Sequence, residues 1–98
     1  FIIGNEVEYN WRDTDLAKQK VAISTSRSTK NFGSGANVLR HPITALTWLI
    51  NELSQNDITI NNKAVVTTGS CTTPIPIKQG DNVVADFGIF GSVSVVIE

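Results

Sequence analysis

The chain has 98 residues and a formal net charge of −1, enough for one domain with a modest core and without the basic face that nucleic acid or an anionic membrane would need. One cysteine, Cys71, rules out an internal disulfide and fits a reducing, cytoplasmic compartment; with a single histidine beside it, the chain cannot build a structural zinc site of its own. No apolar run approaches the roughly 20 residues that span a bilayer.

In chain order, Phe1-Ile2-Ile3 is apolar from the first residue, with no initiator Met and too short an apolar run for a signal peptide. Val93 to Ile97 is equally apolar at the other end, and the chain reads as a piece of a longer protein. Glu6-Val7-Glu8 puts two carboxylates on one face of an extended segment. They are either a solvent-facing pair in a charged turn or part of an oxygen cage for a hard cation, which would need further carboxylates nearby. Val21 to Ser26 is predicted to be a strand, and the polar stretch Arg27 to Asn31 turns it back. Phe32-Gly33-Ser34-Gly35-Ala36 is small and glycine-rich, suited to close approach of backbone to something else. In HPITALTWLINELSQN, Pro42 suits a first helical turn. Ala45, Leu46, Leu49, Ile50 and Leu53 then recur at helical spacing with Trp48 beside them. His41, immediately before this helix, reads as a capping or packing group rather than a general base, because no partner is evident.

After Asn56-Asp57 closes the helix, Ile58-Thr59-Ile60 is a short extended piece and Asn61-Asn62-Lys63 a turn. Ala64-Val65-Val66 has the β-branched character of a core strand, and it runs into seven small, mostly hydroxylated residues, Thr67 to Thr73. That run is either a satisfied polar loop or a place where hydroxyls and backbone N–H groups hold an anion, with Gly69 allowing close approach. Cys71 has no nearby histidine to favour its thiolate, and no nucleophile elbow is present. Pro74 to Lys78 is extended again and Gln79-Gly80-Asp81 is a turn. Asn82 to Phe87 and Ser92 to Ile97 are predicted strands joined by the glycine-bounded turn Gly88 to Gly91.

The stretches GSGANVLRHPITALTWLINEL and TTGS…PIPIKQGDNVVADFGIFGSVSV resemble the C-terminal part of the fumarylacetoacetate hydrolase superfamily, in its 2-keto-4-pentenoate hydratase and 4-oxalocrotonate decarboxylase branch. That branch has a G-x-G-A-x-x-L-G-H-P segment leading into a helix; here it is Gly33 to Pro42, with Arg40 where glycine is usual. A strand ending T-G-S, a G-D turn and a final G-S-V-S-V strand match Thr68-Gly69-Ser70, Gly80-Asp81 and Gly91 to Val95. Lys63-Ala64 stands where the family has a further Gly-Asp turn.

The resemblance implies an α+β fold, mostly antiparallel β with one amphipathic helix, as in the β-roll core of that superfamily with its N-terminal strands missing. Residues 1–98 would then be the C-terminal portion of a single catalytic domain. The implied parent is a metal-dependent hydratase adding water to a 2-keto-4-pentenoate-type (2-hydroxydienoate) substrate in aromatic catabolism. Alternatives are a 4-oxalocrotonate-type decarboxylase of the same family and, outside it, a non-catalytic β-rich binding module. By resemblance Thr68 and Gly69 contact the substrate carboxylate. The Mg²⁺ or Mn²⁺ ligands and the catalytic residues lie upstream of this chain, and Glu6 and Glu8 lack the ligand pair's strand context. The expected partner is a small 2-keto acid, with no nucleic acid and no membrane. Open sheet edges favour self-association by dimerisation or strand exchange. The isolated chain is expected to be inactive.

Overall fold

A computed structural model of the chain describes residues 1–27 and 29–98. The β-branched residues of Val21-Ala22-Ile23 form strand β1 (Lys20–Thr25), which turns back into β2 (Lys30–Ser34). The Thr25 N–H closes this hairpin on the Thr29 carbonyl at 2.9 Å. Helix α1 (Pro42–Gln55) follows, then β3 (Asn82–Asp86) and β4 (Ser92–Val96). The four strands make one antiparallel sheet in the order β2-β1-β3-β4, with Val21 opposite Gly33, Ile23 opposite Ala85 and Val83 opposite Val95. The architecture is α+β, mostly antiparallel.

Strand β2 departs from the sequence expectation, which ended the extended run near Arg27 and treated Gly33 as loop. Lys30, Asn31 and Gly33 favour strand weakly, and pairing along β1 overrides that preference. The expected close approaches are nevertheless present. A Cβ on Gly33 would fall inside the van der Waals envelope of the Cys71 carbonyl, and one on Gly35 inside that of the Leu16 carbonyl.

The helix starts where its sequence says. His41 is the N-cap, its Nδ1 accepting from the Ile43 N–H at 3.1 Å, and Pro42 follows at the first position. It ends in a Schellman pattern: the Ile58 N–H donates to the Leu53 carbonyl at 2.9 Å and the Asp57 N–H to that of Ser54 at 3.2 Å, with Asp57 at φ 55°. Leu53 and Ile58 then line one groove together, the apolar contact that accompanies such a stop.

Asp81 fastens the far end of the sheet. Its carboxylate accepts from Arg27 Nε at 2.6 Å, from Arg27 Nη2 at 2.7 Å and from the Lys78 N–H at 2.8 Å, and its residue is only 3 % exposed. The Asp81 carbonyl accepts from the Ile97 N–H at 2.8 Å. Three chain segments meet at this one residue, and the guanidinium and backbone bonds to its carboxylate pull its pKa down to about 2.

Little of the chain is deeply buried. Val21 (6 % exposed) and Val38 (4 %) are the most buried apolar side chains, whereas Val65, Phe32 and Trp48 are each more than half exposed. The accessible surface is 7545 Å², against about 5,500 Å² for a folded monomer of this mass. The radius of gyration is 15.1 Å, against about 13 Å for a compact domain of this length. The excess area, on the order of 2,000 Å² on this one chain, is more than twice the roughly 800 Å² that each partner gives to a standard protein–protein interface.

Candidate functional site

Ala64-Val65-Val66 is the one predicted strand that the structure does not form. The stretch has no regular secondary structure and pairs with no strand among the described residues, and Val65 is 64 % exposed. A β-branched run supplies the propensity for a strand, while a ladder needs a neighbour. Thr68 and Gly69 therefore sit on an unpaired, irregular segment and not at the end of a central strand.

That segment is held in place from both sides. On one, Val66, Thr67, Thr68 and Gly69 face Ala45, Leu46, Trp48 and Leu49 of α1, with Leu39, around an open and mostly apolar cleft of about 390 Å³. On the other, Gly69 to Thr72 lies over Val21, Ile23, Ala85 and Phe87 of the sheet, leaving a smaller cleft of about 210 Å³. Gly69 stands at the junction of the two, at φ 111°, where any side chain would strain the backbone. Two asparagines clip the rest down. Asn37 Nδ2 donates to the Cys71 carbonyl at 2.7 Å, and Asn31 Nδ2 donates to Thr73 Oγ1 at 2.9 Å.

The hydroxyl run is thus part loop and part surface. Among the described residues, Thr73 is its only member whose side-chain hydroxyl is engaged by the protein. Thr68, half-buried at the cleft, keeps its hydroxyl for another partner. Burial pushes the Cys71 thiol up, away from the reactive thiolate. The arrangement offers neutral donors, the Thr68 hydroxyl and the N–H groups about Gly69, beside an apolar wall. A small acid with a hydrocarbon body matches both halves.

No family model matches the chain. Three curated proteins do. It is 37% identical over 62 residues to 2-oxo-hept-4-ene-1,7-dioate hydratase of Escherichia coli, covering 63% of this chain and 23% of that one. It is 31% identical over 85 residues to 4-oxalocrotonate decarboxylase of Pseudomonas putida, covering 87% of this chain and 32% of that one. The decarboxylase of Pseudomonas strain CF600 aligns over 94 residues, 96% of the chain, at 31% identity. The solved 4-oxalocrotonate decarboxylase from Pseudomonas putida G7, complexed with calcium and acetate, superposes with a TM-score of 0.80 at 29% identity over 89% of this chain. The same enzyme complexed with magnesium and adipate gives the same score. The chain belongs to the fumarylacetoacetate hydrolase superfamily. It spans only a quarter to a third of the length of these curated relatives, 23% to 35%.

Within that superfamily's sequence pattern, one departure acquires a structural meaning. Arg40, where the family has glycine, takes φ 68°, and Leu39 before it takes φ 45°. The left-handed backbone that suits glycine is kept here by a bulky residue. Leu39 carries this turn to the cleft wall.

The remaining sequence candidates fall elsewhere. Glu6 lines a separate cleft of about 480 Å³ with Ile2, Val7, Phe90 and Val93, away from Thr68. His41 caps α1, with its Nε2 4.0 Å from Asp15 Oδ1. Asp86, at the end of β3, accepts from the Gly88 N–H at 2.8 Å and shapes the β3–β4 turn. Sequence reasoning missed Leu39 and Trp48 as cleft residues. Leu39 was legible as the L of the G-x-G-A-x-x-L segment, whereas Trp48 on the helix carried only a packing signal.

Proposed function

We propose that the chain forms the substrate-facing wall of a metal-dependent hydratase, which adds water to a 2-keto-4-pentenoate-type (2-hydroxydienoate) substrate. Thr68 and Gly69 contact the substrate carboxylate. One observation carries the reading: the T-G pair, with its hydroxyl unengaged, opens onto an apolar cleft in a chain related to a hydratase of an unsaturated oxo-dioate. The apolar wall of Leu39, Leu46, Trp48 and Leu49 receives the carbon chain, and the hydroxyl and backbone N–H groups receive carboxylate oxygens. Neutral donors suit a carboxylate whose charge is balanced elsewhere.

The Mg²⁺ or Mn²⁺ that the resemblance implies finds no donor set here. Among the described residues no three His, Cys, Asp or Glu side chains gather at one place, and a hard cation takes six or more oxygens. We assign the ion and the proton-transfer groups to the rest of the parent protein. No step is routed through this chain's own carboxylates. The parent is assigned to the cytoplasm; among the described residues no helix is long and apolar enough to cross a membrane.

A second reading has its own support. The decarboxylase alignments cover more of the chain, 87% and 96%, and the solved decarboxylase with adipate shares its fold. Product analysis separates the two, since decarboxylation releases CO₂ and hydration does not. The direct test is Thr68→Val in the full-length parent. The swap keeps shape and removes the hydroxyl, and a hydrogen bond to a charged group contributes roughly 1.5–3 kcal/mol. Turnover or substrate affinity should fall more than tenfold at unchanged melting temperature. Wild-type kinetics would make Thr68 a loop residue and end this reading.

A further inference from the structure

The His41 ring has a neighbour on each of its two nitrogens. Nδ1 accepts from the Ile43 N–H at 3.1 Å and caps α1, so the proton of the neutral imidazole sits on Nε2. Nε2 in turn faces Asp15 Oδ1 at 4.0 Å, too long for a hydrogen bond. The two neighbours make opposite demands. Capping needs an unprotonated Nδ1, because a protonated nitrogen accepts nothing and sets a positive charge against the positive end of the helix. An ion pair with Asp15 needs the charged ring.

Asp15 is a fixed anion. Its Oδ1 accepts from the Ala17 N–H at 3.1 Å. The turn that carries it is tied to the glycine-rich segment, the Gly35 N–H donating to the Gln19 carbonyl at 3.0 Å and the Ala36 N–H to that of Ala17 at 2.9 Å. Lys18 Nζ lies 3.5 Å from Asp15 Oδ2, which leaves the Oδ1 side to His41. On the helix side the ring borders Ile43, Thr44, Thr47, Trp48 and Asn51, none of which titrates. The remaining nearby charge among the described residues is Arg40, adjacent in sequence and exposed.

We propose that His41 is a proton-operated latch on the first turn of α1. The uncharged ring holds the helix start through the Ile43 N–H. On protonation Nδ1 gives up that N–H, and the imidazolium turns to Asp15 and closes the 4.0 Å gap. Leu39 lies just before the cap, and Ala45 and Leu46 just after it, so the released turn belongs to the cleft wall beside Thr68. The latch rests on the cap geometry and not on the catalytic reading above.

The chain has a single histidine, so its ring signals are read without overlap. In nuclear magnetic resonance of the nitrogen-15-labelled chain, the Ile43 amide should be protected from exchange at about pH 8. By about pH 5 its protection factor should fall about fivefold, the contribution of an average N-cap. The midpoint of that fall should equal the midpoint of the ring nitrogens, and ring-proton contacts to Asp15 should strengthen over the same range. His41→Asn keeps a capping oxygen that does not titrate. Its Ile43 protection should be the same at both pH values, with the helix retained by circular dichroism. His41→Ala, which has no cap, should show the low protection at both. An Ile43 amide indifferent to pH, a midpoint different from that of the ring, or unchanged contacts to Asp15 would each overturn the latch. So would a His41→Asn variant that keeps the pH response.

Discussion

Gly33→Ala tests whether the hydroxyl-rich segment lies where its role requires. Gly33 is not at positive φ, so alanine meets no backbone penalty there. By chain entropy alone the change should stabilise by about 0.4–1 kcal/mol. The contact argues the other way. A methyl group at this position would occupy the space of the Cys71 carbonyl, which belongs to backbone and cannot swing aside like a flexible side chain. Overpacking of this kind costs roughly 1–3 kcal/mol. If segment 71–73 lifts away, the Asn37–Cys71 and Asn31–Thr73 hydrogen bonds go with it, at about 1 kcal/mol each. The opposing terms leave a net loss of about 2–4 kcal/mol. In equilibrium urea unfolding of the chain, the midpoint should fall by about 1–2 M. A rise in the midpoint would mean that entropy wins and the carbonyl is not against Gly33, removing the support that positions Thr68 and Gly69.

Two further outcomes are expected from the same measurements. Arg40→Gly should raise the melting temperature by a few degrees. An L-residue in the left-handed region costs roughly 1–2 kcal/mol, of which glycine's greater unfolded freedom takes back about half; a lower melting temperature would show that the Arg40 side chain contributes more than its backbone costs. The Arg27–Asp81 contact should make stability depend on acid pH. Asp81 has a folded pKa of about 2, below its ordinary value of 3.8, so its contribution is complete above about pH 4 and fades as pH falls towards 2. Urea midpoints measured across that window should drop in the unmodified chain and drop less in Asp81→Asn; equal slopes would remove Asp81 as the titrating group.

How much of this was legible depended on whether the cause was local. The helix was readable end to end because its signals are local: His41 and Pro42 at the start, a 3.6-residue apolar repeat, and Asn56-Asp57 at the stop. Strands β3 and β4 were readable for the same reason, as β-branched runs around a glycine-bounded turn. Strand β2 was not, since Lys-Asn-Phe-Gly-Ser becomes a strand only because β1 lies beside it. The glycines showed that backbone comes close at 33 and 35, but not that Cys71 and Leu16 were what came close. Position 40 shows how a pattern gains meaning from conformation, for only φ 68° explains why glycine suits it.

Ala64 to Val66 separates propensity from pairing most sharply. Its composition is as strand-like as that of β3, yet β3 lies between two neighbours and Ala64 to Val66 beside none. Backbone groups on such a segment must be met by water or by another chain segment. Hydrophobic side chains left in the open, Val65 above all, weigh against water as the permanent answer. The same stretch leads directly into Thr68 and Gly69, so whatever pairs with it also borders the candidate site. Apolar exposure and an unengaged Thr68 hydroxyl therefore meet on one wall of the cleft, and under the function proposed above it is the rest of the parent protein that faces it.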